Sequence, residues 1–227
     1  MADDRLRELE RRWRESSSVA DEVAFLRERL RVGGLTPEQL ALAAWLGHEP
    51  AVLVVGQPVT AAPEELVHAL EGVRITREAV DLEHWLRGLG RWGVATCVIA
   101  GQALGRFVLA NRPCSPEVDA ALAAAVAWLA CPCAEHAREA RRAGERAMGS
   151  IPVGTEHEDR LAMWVAIEGA TLPGVTLQDD RPHGEAAGRA LGYQSRRAVG
   201  VGLVRPEGVR AAVSRALLPR ALGAAQP

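Results

Sequence analysis

Hydrophobic positions recur at helical spacing along almost the whole chain. Leu6, Leu9 and Trp13 fall three and four residues apart on a densely charged background, which predicts an amphipathic helix over 3–15. The serines at 16–18 interrupt it. Val19, Val23, Leu26 and Leu30 then carry a second helix to the pair Gly33-Gly34, a stop signal. Thr36, Pro37 and Gln39 form a capping box with proline at the first helical position. Residues 50–63 hold an apolar run between Pro50 and Gly56 that suits a buried strand or a helical turn. No second strand candidate lies nearby to pair with it, so a short helix or irregular connection is expected. The helical pattern resumes at Glu64, with helices expected over 79–90, 91–110, 116–130, 132–148, 157–170, 184–191 and 206–218, the last ending at Pro219. Residues 149–156 and 172–184, rich in Gly, Pro and Asp, read as loops.

The fold class expected from this pattern is all-α, built of packed antiparallel helix pairs. A faint internal repeat adds an irregular HEAT-like array as one form of it. "TPEQLALAAWLG" and "SPEVDAALAAAVAWLA" share a capped start and an Ala-Trp-Leu finish, with 9 and 13 residues from cap to tryptophan. That difference is close to one turn of about 3.6 residues, so the tryptophan keeps its face. A third Trp-Leu pair begins at Trp85, and the three tryptophans stand 40 and 43 residues apart, within the range of paired-helix repeats. The expected organisation is a helical domain over 1–148 and a C-terminal helical segment over 149–227 that packs on it, as one domain or two.

Composition narrows the class. The chain of 227 residues is 48% hydrophobic and 25% charged, enough for a core without staples. No apolar run reaches the roughly 18 residues of a membrane span, and the charged N-terminus lacks a signal-peptide core. With four cysteines and no export signal, a soluble cytoplasmic protein with reduced thiols and no membrane partner is expected. All 27 basic residues are arginine, which we attribute to a GC-rich coding sequence. Residues 32–180 carry a net charge of −8 and residues 181–227 a net charge of +6. A basic tail section could bind polyanions, but self-complementarity with the acidic body is the simpler reading.

Candidate chemistry is concentrated in "CPCAEH". Cys131, Cys133 and His136 are the residue types zinc prefers, with Cys114 or another histidine available as a fourth ligand. The spacing argues against this, because structural zinc sites usually begin with two to four residues between cysteines and here a single proline intervenes. A thiol role needs a low-pKa cysteine at a helix start. The competing reading is a corner between two helices, with Cys131 at the cap boundary, Pro132 at the first helical position and Glu135 favouring the helix dipole. No metalloprotease, phosphate-loop or nucleophile-elbow motif is present. No cofactor is therefore expected, with zinc as the alternative.

Two further segments have content. Residues 185–203 resemble the helix-turn-helix of bacterial activators through Ala187, Leu191, Gly192, Tyr193, Ser195 and Ala198. That resemblance implies Ser195 capping a recognition helix whose Arg196 and Arg197 face DNA. The glycines that follow weaken such a helix, and a plain helical hairpin competes with it. Of the six tryptophans, Trp45, Trp85, Trp92, Trp128 and Trp164 sit on apolar stretches and suit helix packing. Trp13, beside Arg11, Arg12 and Arg14, is the one suited to an interface, with a core position as the competing reading.

The blocks "LRELERRWRESSSVADEVAFLRERLRVGGLTPEQLALAAWLGH", "AWLACPCAEHA" and "ALLPRALG" together resemble a bacterial all-helical family for which no activity is established. The likeness covers about the first 50 residues, a stretch near 82–140 and the last 15, and departs from the family at Arg220, where tryptophan would be expected. It implies an all-α fold and no reaction. The function expected is a non-enzymatic helical scaffold or adaptor that binds another protein through Trp13, Arg11, Arg12 and Arg14. The alternatives are a metal- or thiol-dependent protein centred on Cys131, Cys133 and His136, and DNA binding through Ser195, Arg196 and Arg197. Nucleic acid is the weaker partner of these.

Overall fold

The computed structural model describes residues 2–56, 77–175 and 183–223. Among these the chain is all-helical, with eleven α-helices, one 3-10 helix and no strand. The helices fall into two compact units: one drawn from residues 1–60 and 214–227, the other from residues 61–213. Both sides of the expected 148/149 division lie in the second unit. The part of the 50–63 connection beyond Gly56, and the helical pattern from Glu64 to residue 76, lie outside the described residues.

The first unit contains α1 (Ala2–Ser16), α2 (Val19–Arg31), α3 (Pro37–Trp45), α4 (Glu49–Val55) and the end of α11 (Pro206–Ala221). Its helix ends follow from local chemistry. Ser17 takes a left-handed φ of 49°, and the Ser18 hydroxyl accepts the Asp21 N–H to start α2. Gly33, at φ 77°, closes α2: its N–H donates to Leu30 O and the Gly34 N–H to Arg29 O, a complete Schellman turn. The Thr36/Gln39 capping box is present in both directions, a feature that contributes about 1 kcal/mol. His48 joins two helices: its Nδ1 accepts the Ala51 N–H to cap α4, which leaves Nε2 to donate to Glu22 of α2 at 3.1 Å. The segment expected as a short helix or connection is thus a short helix ended by Gly56 at φ 75°. Phe25, Leu26, Leu35, Leu40, Trp45, Leu46 and Leu217 fill the core.

The second unit contains α5 (Arg77–Gly88), a 3-10 turn (Leu89–Trp92), α6 (Val94–Leu109), α7 (Pro116–Ala130), α8 (Ala134–Ser150), α9 (His157–Val175), α10 (His183–Gly200) and the start of α11. Its centre is α6, which is apolar nearly all round and buried from Thr96 to Gly105 apart from Ala103. Helix α9 lies along α6, α10 pairs with α5, and the α7–α8 hairpin packs on α9. An array would place only sequence neighbours in contact. Here α6 with α9 and α5 with α10 join helices far apart in the chain, alongside the neighbouring pairs α7–α8 and α8–α9, so the unit is built of packed helix pairs that are not stacked in strict sequence order.

Two helices run further than their prolines suggested. α9 passes Pro173 to Val175, shortening the loop expected from 172, and α11 passes Pro219 to Ala221. Each proline stands within the last turn: it forfeits its own backbone bond, but only two helical residues follow it in each case. Buried Leu172 and Ala221 beside them hold those turns against the core.

Candidate functional site

The α7–α8 corner brings Cys131, Cys133 and His136 together. Cys131 ends α7: its N–H still donates to Ala127 O, and its backbone is extended at φ −140°, as a residue before proline must be. α8 begins two residues later than expected, with Cys133 in the cap position and Pro132 outside the helix. His136 follows Cys133 by three residues, on the same face of the first turn. The Cys133 Sγ lies 3.1 Å from His136 Nδ1. One ligand atom from each of Cys131, Cys133 and His136 lies within 4.8 Å of the others, the one such metal-ligating cluster among the described residues. Cys114 is excluded as a fourth ligand, because it stands before α7, whose 15 residues span about 22 Å. Its thiol lies 3.6 Å from Asp119 instead.

The four thiols differ sharply in acidity. The His136 backbone N–H and then its ring favour a thiolate at Cys133 and lower its pKa to about 7. A Cys133 thiolate in turn disfavours ionisation of Cys131, whose pKa is raised. Burial, with Asp119 nearby, pushes Cys114 up to about 11, and burial alone pushes Cys97 up to about 12. A depressed pKa keeps the reactive anion populated above pH 7, so iodoacetamide at neutral pH should label Cys133 first in metal-free protein. Cys131 and Cys114 should follow, with Cys97 protected until unfolding. Peptide mapping over time checks this order, and His136→Ala should slow Cys133 alone. Equal labelling of Cys133 and Cys114 would contradict the geometry.

A second feature lies wholly in the first unit. Helices α1 and α2 and the end of α11 enclose a mainly apolar groove of about 740 Å³, lined by Leu6, Trp13, Phe25, Leu26, Leu218, Pro219 and Leu222. Trp13 is half-buried there and stacks on Phe25, with ring centroids 5.2 Å apart. Of the arginines grouped with Trp13, Arg14 lines the groove and pairs with Glu10. Arg11 bridges Glu8 and Glu15, and Arg12 pairs with Asp21; neither lines the groove. At its rim Arg29 donates to the carbonyls of Leu222 and Gly34 and lies over the Phe25 ring. Arg215 is exposed, and no carboxylate among the described residues pairs with it. Sequence reasoning missed this wall of α11, since residues 215–223 are distant from Trp13 and only the contact reveals them.

The third segment departs from expectation. α10 is continuous from His183 to Gly200, so there is no turn at Gly192, and Ser195 caps no recognition helix. Ser195 is fully buried and donates to Gly192 O. Arg196 is 7% exposed, with its Nε 3.1 Å from Glu83 Oε2. Arg197 lies 5.0 Å over the Trp164 ring and 3.9 Å from Glu168. Gly192 belongs in this helix because α5 passes close by: a Cβ there would stand 2.9 Å from Glu83 O. The glycine marks a helix crossing rather than a turn.

Among the described residues no helix is long and apolar enough to cross a membrane. Comparison with family models, with curated proteins and with solved structures found no match in any of the three.

Proposed function

We propose that the protein is a non-enzymatic adaptor whose groove in the first unit receives an amphipathic helix from another protein. The carrying observation is the groove itself: about 740 Å³ of mostly apolar space with a half-buried tryptophan in its wall. Helix-in-groove recognition uses such a cleft, with apolar anchors at i, i+3 or i+4 and i+7. A tryptophan held in place by a stacking partner loses little freedom on binding, as interface anchors require. Charge selects the partner further. Glu10 is neutralised by Arg14, and Glu22 accepts from His48, whereas Arg29 and Arg215 have no carboxylate partner among the described residues. The occupant is therefore a helix with acidic residues flanking its apolar stripe.

A displayed library of amphipathic helical peptides, selected against the full chain, tests this. Enriched peptides should carry Leu, Ile or Phe stripes flanked by Asp or Glu. Trp13→Ala should weaken them by about thirtyfold, the loss of a hot-spot residue worth about 2 kcal/mol. Arg215→Glu, at an exposed position that no fold contact needs, should weaken them about tenfold and more so at low salt. Peptides indifferent to both substitutions, or enriched in basic residues, would overturn the reading.

A further inference from the structure

We propose that the α7–α8 corner is a zinc site in which Cys131, Cys133 and His136 supply three ligands and the fourth position faces solvent. The inference stands apart from the groove, and on a different observation: three donor atoms that zinc favours, already within 4.8 Å of one another. Tetrahedral zinc, with bonds of about 2.3 Å to sulfur and about 2.05 Å to nitrogen, needs separations of about 3.8 Å between two sulfurs and about 3.6 Å between sulfur and nitrogen. Rotamer adjustments of about half an ångström to about one ångström bring the cluster to those edges, starting from 3.1 Å between Cys133 Sγ and His136 Nδ1 and from no more than 4.8 Å between any two of the donor atoms.

The backbone explains why one intervening residue suffices. Between adjacent C-x2–4-C ligands a loop normally turns the two sulfurs toward one metal. Here two helix ends do that work: Cys131 is fixed by its bond to the last turn of α7 and Cys133 by its place before α8, while the Cys133 N–H donates to Cys131 O at 2.8 Å and closes a tight turn across Pro132. The packing of α7 against α8 holds those ends together. Two thiolates and an imidazole make a borderline-soft donor set that suits zinc over magnesium or calcium. Two thiolates also neutralise the dication at a helix start, where a bare cation would be disfavoured. On binding, the ion takes the place of the two thiol protons, which pass to the buffer. Cys131 is exposed and Cys133 and His136 are partly so, so the fourth position is open to water, an external thiolate or an imidazole, as in three-ligand zinc sites generally.

Protein purified without chelator or immobilised nickel, with zinc alone as the probe, should contain about one zinc per chain, falling below about a tenth in Cys131→Ser/Cys133→Ser. Cobalt substitution of the unaltered protein should give a thiolate-to-cobalt charge-transfer band and the intense visible bands of tetrahedral coordination. His136→Asn should weaken both, while Cys114→Ser should leave them unchanged. Circular dichroism shows whether each variant keeps its helices. The cobalt spectrum of the unaltered chain decides the matter even if a variant fails to fold. Metal-free protein whose thiols ignore added zinc, an octahedral cobalt spectrum, or zinc retained by the folded double variant would each overturn the site.

Discussion

Gly169→Leu should cost the second unit about 3 kcal/mol and lower its melting temperature by roughly 6–12 °C. The reason is the distance at which α6 and α9 cross. A Cβ on Gly169 would stand 2.8 Å from Gly101 O, and one on Gly101 would stand 3.1 Å from Gly169 O and 2.7 Å from Leu172 Cδ1. One turn along, a Cβ on Gly105 would meet Ala166 Cα at 3.1 Å. The obstacle at Gly169 is backbone, which cannot rotate aside as a side chain would. A new side chain must therefore push apart two helices that form the centre of the unit. Gly169→Ala decides between this account and mere helix propensity. In an ordinary helix interior alanine is better than glycine by about 1 kcal/mol, whereas here it should destabilise. Gly149, near the end of α8 with nothing within 4 Å of its would-be Cβ, is the control: Gly149→Ala should be neutral or stabilising. Urea unfolding of the three variants measures both signs.

Arg196→Ala should be comparably damaging, at about 3 kcal/mol, because it strands a carboxylate. Glu83 on α5 has only 16% of its side chain exposed, and Arg196 on α10 only 8%. Their nearest atoms, 3.1 Å apart, are misaligned for a hydrogen bond. The pair is thus an ion pair with incomplete compensation for the water it gave up. Such a pair is costly to break on one side and cheap to replace on both. Glu83→Gln/Arg196→Met should recover more than half of the loss, and a double-mutant cycle should return a coupling of about 1–3 kcal/mol. If Arg196→Ala leaves the unfolding midpoint unchanged, the α5–α10 contact is not organised as described.

What the sequence made legible was where helices begin and end. Ser18, Thr36-Pro37 and Ser115-Pro116 cap the helices expected of them, and Gly33 closes one. These signals are local: a side chain bonds the backbone two or three residues on, and no distant partner is involved. What stayed hidden was set by distant neighbours. Gly192 and Ser195 matched a turn, yet Gly192 is small because Glu83 lies against it, and Ser195 is buried within a continuous helix. Pro173 and Pro219 signalled stops that buried Leu172 and Ala221 override. At "CPCAEH" the residue types were plain, but spacing alone could not show that two helix ends converge the sulfurs. At the groove, Trp13 was legible as unusual, but its surroundings at Leu218 and Leu222 depend on residues about 200 positions away in the chain.

That separation has a consequence for the order in which the protein can be made. Synthesis delivers residues from the N-terminus at about 5–20 per second, so Trp13 and Phe25 emerge well before the residues that complete their cleft. The bond from Arg29 to Leu222 O spans 193 positions and can form only after translation has passed that point. A nascent chain therefore shows a bare aromatic face on α1–α2 without the wall that shapes it. Products cut short before residue 214 would keep that face and lack Arg215, so under the function proposed above the groove would discriminate finished molecules from truncated ones.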